Sequence, residues 1–169
     1  MLNRKIIKKA PKVELHEHLD GGLRPTTIIE LAKERGIDIP SNDPIGLKSW
    51  FTRGCQQKSL KLYLETFNVT TSVMQDKEAL IRVAREEIED LAEENVVYAE
   101  IRFCPELHTK KGLNLEEVVH AVLAGCEEGR KETGMEYGLI LCAMRHEDPK
   151  LSLEIAELAV AFSERGVVG

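Results

Sequence analysis

The stretch PKVELHEHLDG, residues 11–21, decides how the chain is interpreted. Residues 13–19 are a short run in which apolar and polar side chains alternate, and this pattern predicts a β-strand. His16 and His18 stand one residue apart within it. Because successive side chains on a strand leave opposite faces, both imidazoles leave the same face. Two imidazoles placed in this way can share one metal ion, which with nitrogen ligands is most often zinc.

Beyond this first strand, apolar strands alternate with amphipathic helices. Strands are predicted over residues 96–103 and 137–144, and residues 167–169 resemble the opening of a fourth. Helical spacing is found over residues 26–35 (with Pro25 at its first turn and Gly36 after its end), 60–74, 77–93, 115–132 and 151–164. The segment between Gly36 and Leu60 contains several prolines and glycines and is predicted to be irregular.

This order of elements indicates an α/β fold with a parallel sheet and crossover helices. A doubly wound sheet and a (β/α)8 TIM barrel both fit, but the first βα turn has no G-x-G-x-x-G fingerprint for a dinucleotide. A barrel typically needs about 250 residues. We therefore expect residues 1–169 to form the N-terminal half of one barrel domain, covering about its first four βα units. Asp20 would then follow the first strand at the barrel end where active sites lie.

Composition narrows the possible partners and the compartment. The chain is 43% hydrophobic and 31% charged, with a net charge of −6 and interspersed signs. This balance disfavours nucleic acid and anionic membranes as partners. No apolar run approaches the roughly 20 residues that span a bilayer, and no apolar segment follows the basic residues 1–9. We predict a cytoplasmic protein with free thiols at its four cysteines, Cys55, Cys104, Cys126 and Cys142.

The spacing of His16 and His18 is a weak signal when it stands alone, because chance places two histidines this close in about one such chain in ten. Neighbouring motifs do not explain it better. The metalloprotease pattern H-E-x-x-H would need a histidine at Asp20. The cytidine-type deaminase signature would need a glutamate at His18 and a P-C-x-x-C pair, which the chain lacks.

Three separate stretches resemble one known family. Residues 11–21 closely resemble the N-terminal signature of the adenosine deaminase family. The stretch VVYAEIRFCP, residues 96–105, is similar to that family's second strand, and LCAMRH, residues 141–146, is similar to its third. The resemblance extends over residues 11–169 and is specific, because the three motifs occur in the family's order.

This resemblance implies a zinc-dependent (β/α)8 barrel of the amidohydrolase superfamily. Members hydrolyse adenosine, and often 2'-deoxyadenosine, to the inosine product and ammonia. By position, His16 and His18 match the first two zinc ligands, and Asp20 matches a carboxylate that binds the ribose. The family also has an apolar helix that covers the purine pocket, and four residues of this chain match it by position: Leu60, Tyr63, Leu64 and Phe67.

The resemblance also implies that part of the active site lies outside this chain. A third zinc-binding histidine, a general-acid glutamate, a second catalytic histidine and a zinc-binding aspartate are expected beyond Gly169. Of the other histidines, we predict that His108 lies in a solvated loop and His120 on a helix surface or partly buried. Among these histidines, His146 at the end of the third strand is the best remaining candidate for a role in the active site. Glu100 and Arg102 share a strand face and are predicted to form a structural ion pair.

Two other interpretations remain open from the sequence. One is a related amidohydrolase, such as an adenine or other 6-aminopurine deaminase, although Asp20 favours a nucleoside because a free base has no ribose. The other is a half-barrel without activity of its own, because two histidines are fewer protein ligands than a catalytic zinc ion normally has. Exposed sheet edges and apolar surface would then favour self-association of the chain.

Overall fold

Three parallel strands form the sheet of the computed structural model, which describes residues 3–56 and 58–169. Their order is β1 (Lys12–His18), β2 (Val96–Phe103) and β3 (Glu136–Leu141). The observed bounds of β2 are those predicted from its sequence pattern. β3 ends earlier than predicted, because the chain leaves the sheet after Leu141 although the amide of Cys142 still donates to the carbonyl of Phe103 at 2.8 Å.

The last residues of the chain resume pairing with β3. Val167 forms a parallel bridge with Leu139, and the amide of Val168 donates to the Leu139 carbonyl at 2.8 Å. The amide of Leu141 donates to the carbonyl of Gly169 at 2.9 Å. The predicted opening of a fourth parallel strand is therefore confirmed. Each new strand joins the same side of the sheet, as in a β/α barrel; in a doubly wound sheet the order reverses.

Helices connect the strands and cover the sheet. In the described residues they are α1 (Arg4–Lys9), α2 (Pro25–Arg35), α3 (Pro44–Gln56), α4 (Leu60–Val73), α5 (Lys77–Glu93), α6 (Leu115–Thr133) and α7 (Pro149–Ala161), with 3-10 turns at Pro105–His108 and Ser163–Arg165. Gly36 ends α2 with a left-handed φ of 61°, as its position predicted. The sequence pattern thus located most helices to within a few residues.

The helix α3 corrects the prediction that its segment is irregular. Pro44 occupies the first helical turn, where the missing amide donor costs nothing. The Asp43 carboxylate accepts the amide of Gly46 at 2.6 Å and so caps the start of the helix. Leu47 is fully buried, and Phe51, four residues later, packs against the core on the same helix face. Pro44 therefore starts this helix, and Gly46 and Gly54 within it do not prevent it from forming.

The core lies between the sheet and the helix pair α5 and α6. Ile101 and Phe103 of β2 are buried there. Two glycines of α6 let its backbone approach α5 closely: a methyl group at Gly125 would overlap the Ile81 carbonyl, and one at Gly129 would crowd Ile88. This tight packing gives the strand ends a rigid support.

Two further points concern the cysteines and the absence of a membrane-spanning helix in the described residues. All four cysteines are free, as predicted, and Cys104 and Cys126 are buried. Throughout the described parts of the chain, no helix has both the length and the apolar character needed to cross a membrane.

Candidate active site

The carboxyl end of β1 carries a β-bulge beside the two histidines. Between Glu14 and Glu17, β1 advances by three residues while β2 advances by two. Bulges are common next to active sites, where they re-aim a side chain. β1 is also an edge strand of the described sheet. The amides of His16 and His18 donate to the carboxylates of Glu14 and Glu17, each at 3.1 Å.

His16 and His18 lie side by side at this strand end. Their ring centroids are 5.3 Å apart, and the ring planes are inclined by 43°. A nitrogen of the Arg102 guanidinium, Nη1, lies 3.1 Å from both ring nitrogens of His16. In the ring plane that position would collide with the carbon between the two nitrogens, so the guanidinium covers the ring face.

Asp20 lies in the turn that follows β1 and is almost fully buried. Its Oδ1 is 3.7 Å from Nδ1 of His18 and has no hydrogen-bond partner in the described structure. Burial raises the pKa of the Asp20 carboxyl above its usual 3.8, and the neighbouring His18 acts in the opposite direction. A buried carboxylate oxygen without a donor is an available acceptor, because leaving it unpaired is costly.

A cavity of about 320 Å³ opens beside Asp20. This volume lies within the range of about 300–1,000 Å³ that is usual for small-molecule sites. Apolar side chains of α2 and of the preceding turn, Leu23 and Ile28, form part of its wall. The aromatic ring of Phe51 and the rings of α4 form another part. The arrangement suits a flat apolar ligand that carries a hydroxyl group near Asp20.

The helix α4 brings only part of its predicted set to this cavity. Tyr63 and Phe67 line it, with their rings edge to face and their centroids 5.3 Å apart. Leu60 and Leu64 lie outside the lining and are 71% and 52% exposed. The structure therefore groups Asp20, Tyr63 and Phe67 around one cavity and leaves the two leucines at the surface.

Sequence reasoning missed several residues of this region. Lys48, Phe51 and Cys55 of α3 line the cavity, and they were missed because that helix was not predicted. Their signal was the four-residue spacing from Leu47 to Phe51 on one helix face. Arg102 does not pair with Glu100 as predicted: besides covering His16, its Nε donates to Sγ of Cys142 at 3.4 Å.

The prediction that His108 is solvated was wrong. His108 closes a 3-10 turn after β2, is fully buried, and its Nδ1 lies 2.9 Å from the Met74 carbonyl. His120 is partly buried against Phe162, as predicted, with ring centroids 4.9 Å apart. His146 is exposed at the rim after β3 and lies 3.4 Å from Glu147.

Burial of His108 gives a testable dependence of stability on pH. Burial lowers its pKa from 6.5 to about 4, so its contribution to stability is complete above pH 6.5 and is lost as pH falls through about 4. We expect the unfolding free energy to fall by roughly 2–3 kcal/mol more over this window in the parent than in His108→Gln. Urea unfolding at several pH values measures this difference.

The exposed His146 supplies the control for that measurement. His146→Gln should keep the pH dependence of the parent, because its side chain is 71% exposed. Equal pH dependence in the parent and in His108→Gln would contradict the assignment of a neutral, buried His108.

The donors at the end of β1 fit part of a zinc site. His16 and His18 provide two nitrogen donors from one strand end, and catalytic zinc normally has three or more protein ligands. Within residues 3–56 and 58–169, no group of three or more His, Cys, Asp or Glu side chains is arranged to hold a metal ion. At this strand end, the two imidazoles are therefore the candidate metal donors that the described residues bring together.

Parallel βα units whose strands join one side of the sheet in order are those of a β/α barrel, and the solved structures that superpose on the chain are TIM-barrel proteins of the amidohydrolase type. The adenosine deaminase family matches residues 11–169. The chain belongs to this family.

Named relatives and solved structures agree with that assignment. Adenosine deaminase 1 of Streptomyces coelicolor is 53% identical over 96% of this chain and 42% of its own length. The adenine deaminase of Arthrobacter aurescens superposes with a TM-score of 0.79 at 27% identity, over 94% of this chain and 47% of that one. An amidohydrolase from Burkholderia ambifaria with bound Zn gives 0.82 at 26% identity, over 98% and 44%. The chain spans less than half the length of the curated relatives it matches.

Proposed function

We propose that this chain is the N-terminal half of a (β/α)8 domain that hydrolyses adenosine, and 2'-deoxyadenosine, to the inosine product and ammonia. The observation that carries the proposal is that His16 and His18 lie side by side at the end of β1, with Nδ1 of His18 3.7 Å from the buried Oδ1 of Asp20, and that Asp20 lines the cavity. The relatives named as adenosine deaminases, at about half identity over nearly the whole chain, support the same activity.

The two histidines would hold a zinc ion through their ring nitrogens. Zinc in such a site supplies the Lewis acidity that makes water a nucleophile near neutral pH. Arg102 packs on the face of His16 and fixes the orientation of that ring, while the Glu14 and Glu17 carboxylates hold the backbone of both histidines. We place the remaining ligands and the general acid that protonates the purine beyond Gly169.

The cavity would bind the nucleoside and exclude water from it. Asp20 would accept a hydrogen bond from a ribose hydroxyl, because its Oδ1 has no other donor. Tyr63 and Phe67 would cover the purine, with Leu60 and Leu64 at the entrance, where they are exposed. Water then adds at C6 of the purine, the amino group leaves as ammonia, and a carbonyl group remains at C6. An apolar wall strengthens the polar contacts that guide this step.

A chimera tests the proposal without depending on where this chain ends. Residues 11–169 replace the matching segment of the Streptomyces coelicolor relative, and turnover is followed by the fall in absorbance near the adenine band, with zinc content measured on the same sample. We expect deamination of adenosine and about one zinc per chimera, both lost in a His16→Ala, His18→Ala variant. A folded chimera without turnover, beside an active parent relative, would count against the proposal. We expect the 169-residue chain alone to be inactive.

A deaminase of free adenine is the second candidate, favoured by the structural match to the Arthrobacter enzyme. Turnover of adenine instead of adenosine by the same chimera would select it.

We also propose that the protein acts in the cytoplasm, and that the 169-residue chain self-associates through its exposed apolar side chains, such as Val13 and Leu15 at 57% exposure each. Cell fractionation and light scattering test these two points.

A further inference from the structure

A buried carboxyl group lies beneath the turn that carries Asp20. Glu87 of α5 is only 6% exposed, and its carboxyl group fills the space that a side chain at position 22 would need. A methyl group added at Gly22 would overlap this carboxyl group. Gly22 does not have a positive φ, so space rather than backbone conformation requires glycine here. The turn therefore rests directly on Glu87.

The surroundings of Glu87 disfavour a negative charge. Glu17 of β1 and Asp90 of α5 act on it with like charge, and the thiol of Cys126 on α6 is also close enough to interact with it. Arg24, just before α2, is the nearby cation, but its guanidinium already binds Asp90 at 2.6 Å. Burial, more than these charges, raises the pKa of Glu87 from 4.5 to about 8. The carboxyl group is thus mostly uncharged at neutral pH.

We propose that Glu87 is a positioning residue for the Asp20 turn: its buried carboxyl group packs under Gly22 and sets the position of Asp20 at the cavity. An ionised Glu87 would bring a charge into a desolvated space beside Glu17 and Asp90, and it would push the turn outward. The effect on substrate binding rests on the proposed function, whereas the contact between Glu87 and the turn does not.

The contact itself is tested by a double-mutant cycle on the 169-residue chain. Gly22→Ala should lower the melting temperature markedly, because the new methyl group meets the carboxyl group. In a Glu87→Ala background the same change should cost little, because the carboxyl group is gone. In a Glu87→Gln background, which keeps the volume, it should cost as much as in the parent. Equal costs in all three backgrounds would overturn the contact.

Proton uptake by Glu87 makes a second, independent test. Because its pKa in the folded chain lies above the value of 4.5 in the unfolded chain, its stabilising contribution is complete below pH 4.5 and is lost as pH rises through about 8. Glu87→Gln stays uncharged. It should melt at least about 4 °C above the parent at pH 8.5, with a difference that shrinks toward pH 5. A difference that does not change with pH would overturn the inference.

Amide exchange distinguishes positioning of the turn from general stability. The Gly21 amide closes the turn by donating to the His18 carbonyl at 2.8 Å, and the Gly134 amide makes an equally short bond at the end of α6. From pH 6 to pH 9, after correction for intrinsic exchange, we expect Gly21 to lose protection in the parent and to keep it in Glu87→Gln, with Gly134 alike in both. An equal loss of protection at the Gly21 amide in the two proteins would contradict the proposal. These readouts need no substrate, so an inactive chimera would leave them standing.

Discussion

Replacing both His16 and His18 by alanine should remove the proposed zinc binding at the end of β1. The two rings provide the nitrogen donors that the described residues bring together, at a centroid separation of 5.3 Å. Loss of an outer-shell partner alone typically costs about 10–100-fold in metal affinity, so loss of a direct ligand should cost about 100-fold or more. Titration of the chimera with zinc, in competition with a chromophoric chelator, measures the change.

His120 provides the matched control for this experiment. It lies on α6 and contacts Phe162 rather than the end of β1. His120→Ala should bind zinc as the parent does. If the double variant at His16 and His18 bound zinc as tightly as the parent, the metal would have to be held elsewhere, and the proposed active site would be wrong.

Asp20→Ala in the chimera lowers kcat/KM for adenosine by about 100-fold, equivalent to about 2.7 kcal/mol. The buried Oδ1 has no hydrogen-bond donor among the described residues, so a ribose hydroxyl would donate to a carboxylate oxygen that is otherwise unpaired. The variant removes that bond and leaves the hydroxyl without a partner. Steady-state kinetics with adenosine measure the loss.

The substrate itself offers the sharpest control for Asp20. Free adenine has no ribose, so its strength as a competitive inhibitor should be the same for Asp20→Ala and the parent. Asp38→Ala, at an exposed carboxylate before α3, should leave kcat/KM unchanged. Equal losses for adenosine and adenine would show that Asp20 supports the cavity rather than recognising the sugar.

Sequence periodicity located the elements whose environment is regular. β2 is buried at every second or third residue, and its predicted bounds match the observed Val96–Phe103. α5 also matches, because Asp76 caps its start and buried apolar residues recur at helical spacing after it, at Ala79, Leu80, Val83, Ala84 and Ile88. The pairing of His16 with His18 was visible for the same reason: a short alternating strand has few ways to place two neighbouring side chains.

Features that depend on contacts between distant residues could not be predicted. The β-bulge between Glu14 and Glu17 arises from the register with β2, and the sequence of β1 alone does not predict it. His108 is buried because its 3-10 turn folds back onto the end of α4 near Met74, 34 residues earlier in the chain. Arg102 was assigned to Glu100 by strand parity, but tertiary packing brings it to His16.

The hydrogen bonds from the amides of His16 and His18 to the side chains of Glu14 and Glu17 also bear on how the chain avoids misassembly. An edge strand with free amide donors recruits strands from other molecules and so promotes aggregation. At this edge two donors are already occupied by acidic side chains of the same strand. An incoming strand must first displace two carboxylates and then lie beside their charge. In the 169-residue chain taken alone, two backbone donors of the strand that carries the proposed metal ligands are thereby withheld from pairing with a foreign strand.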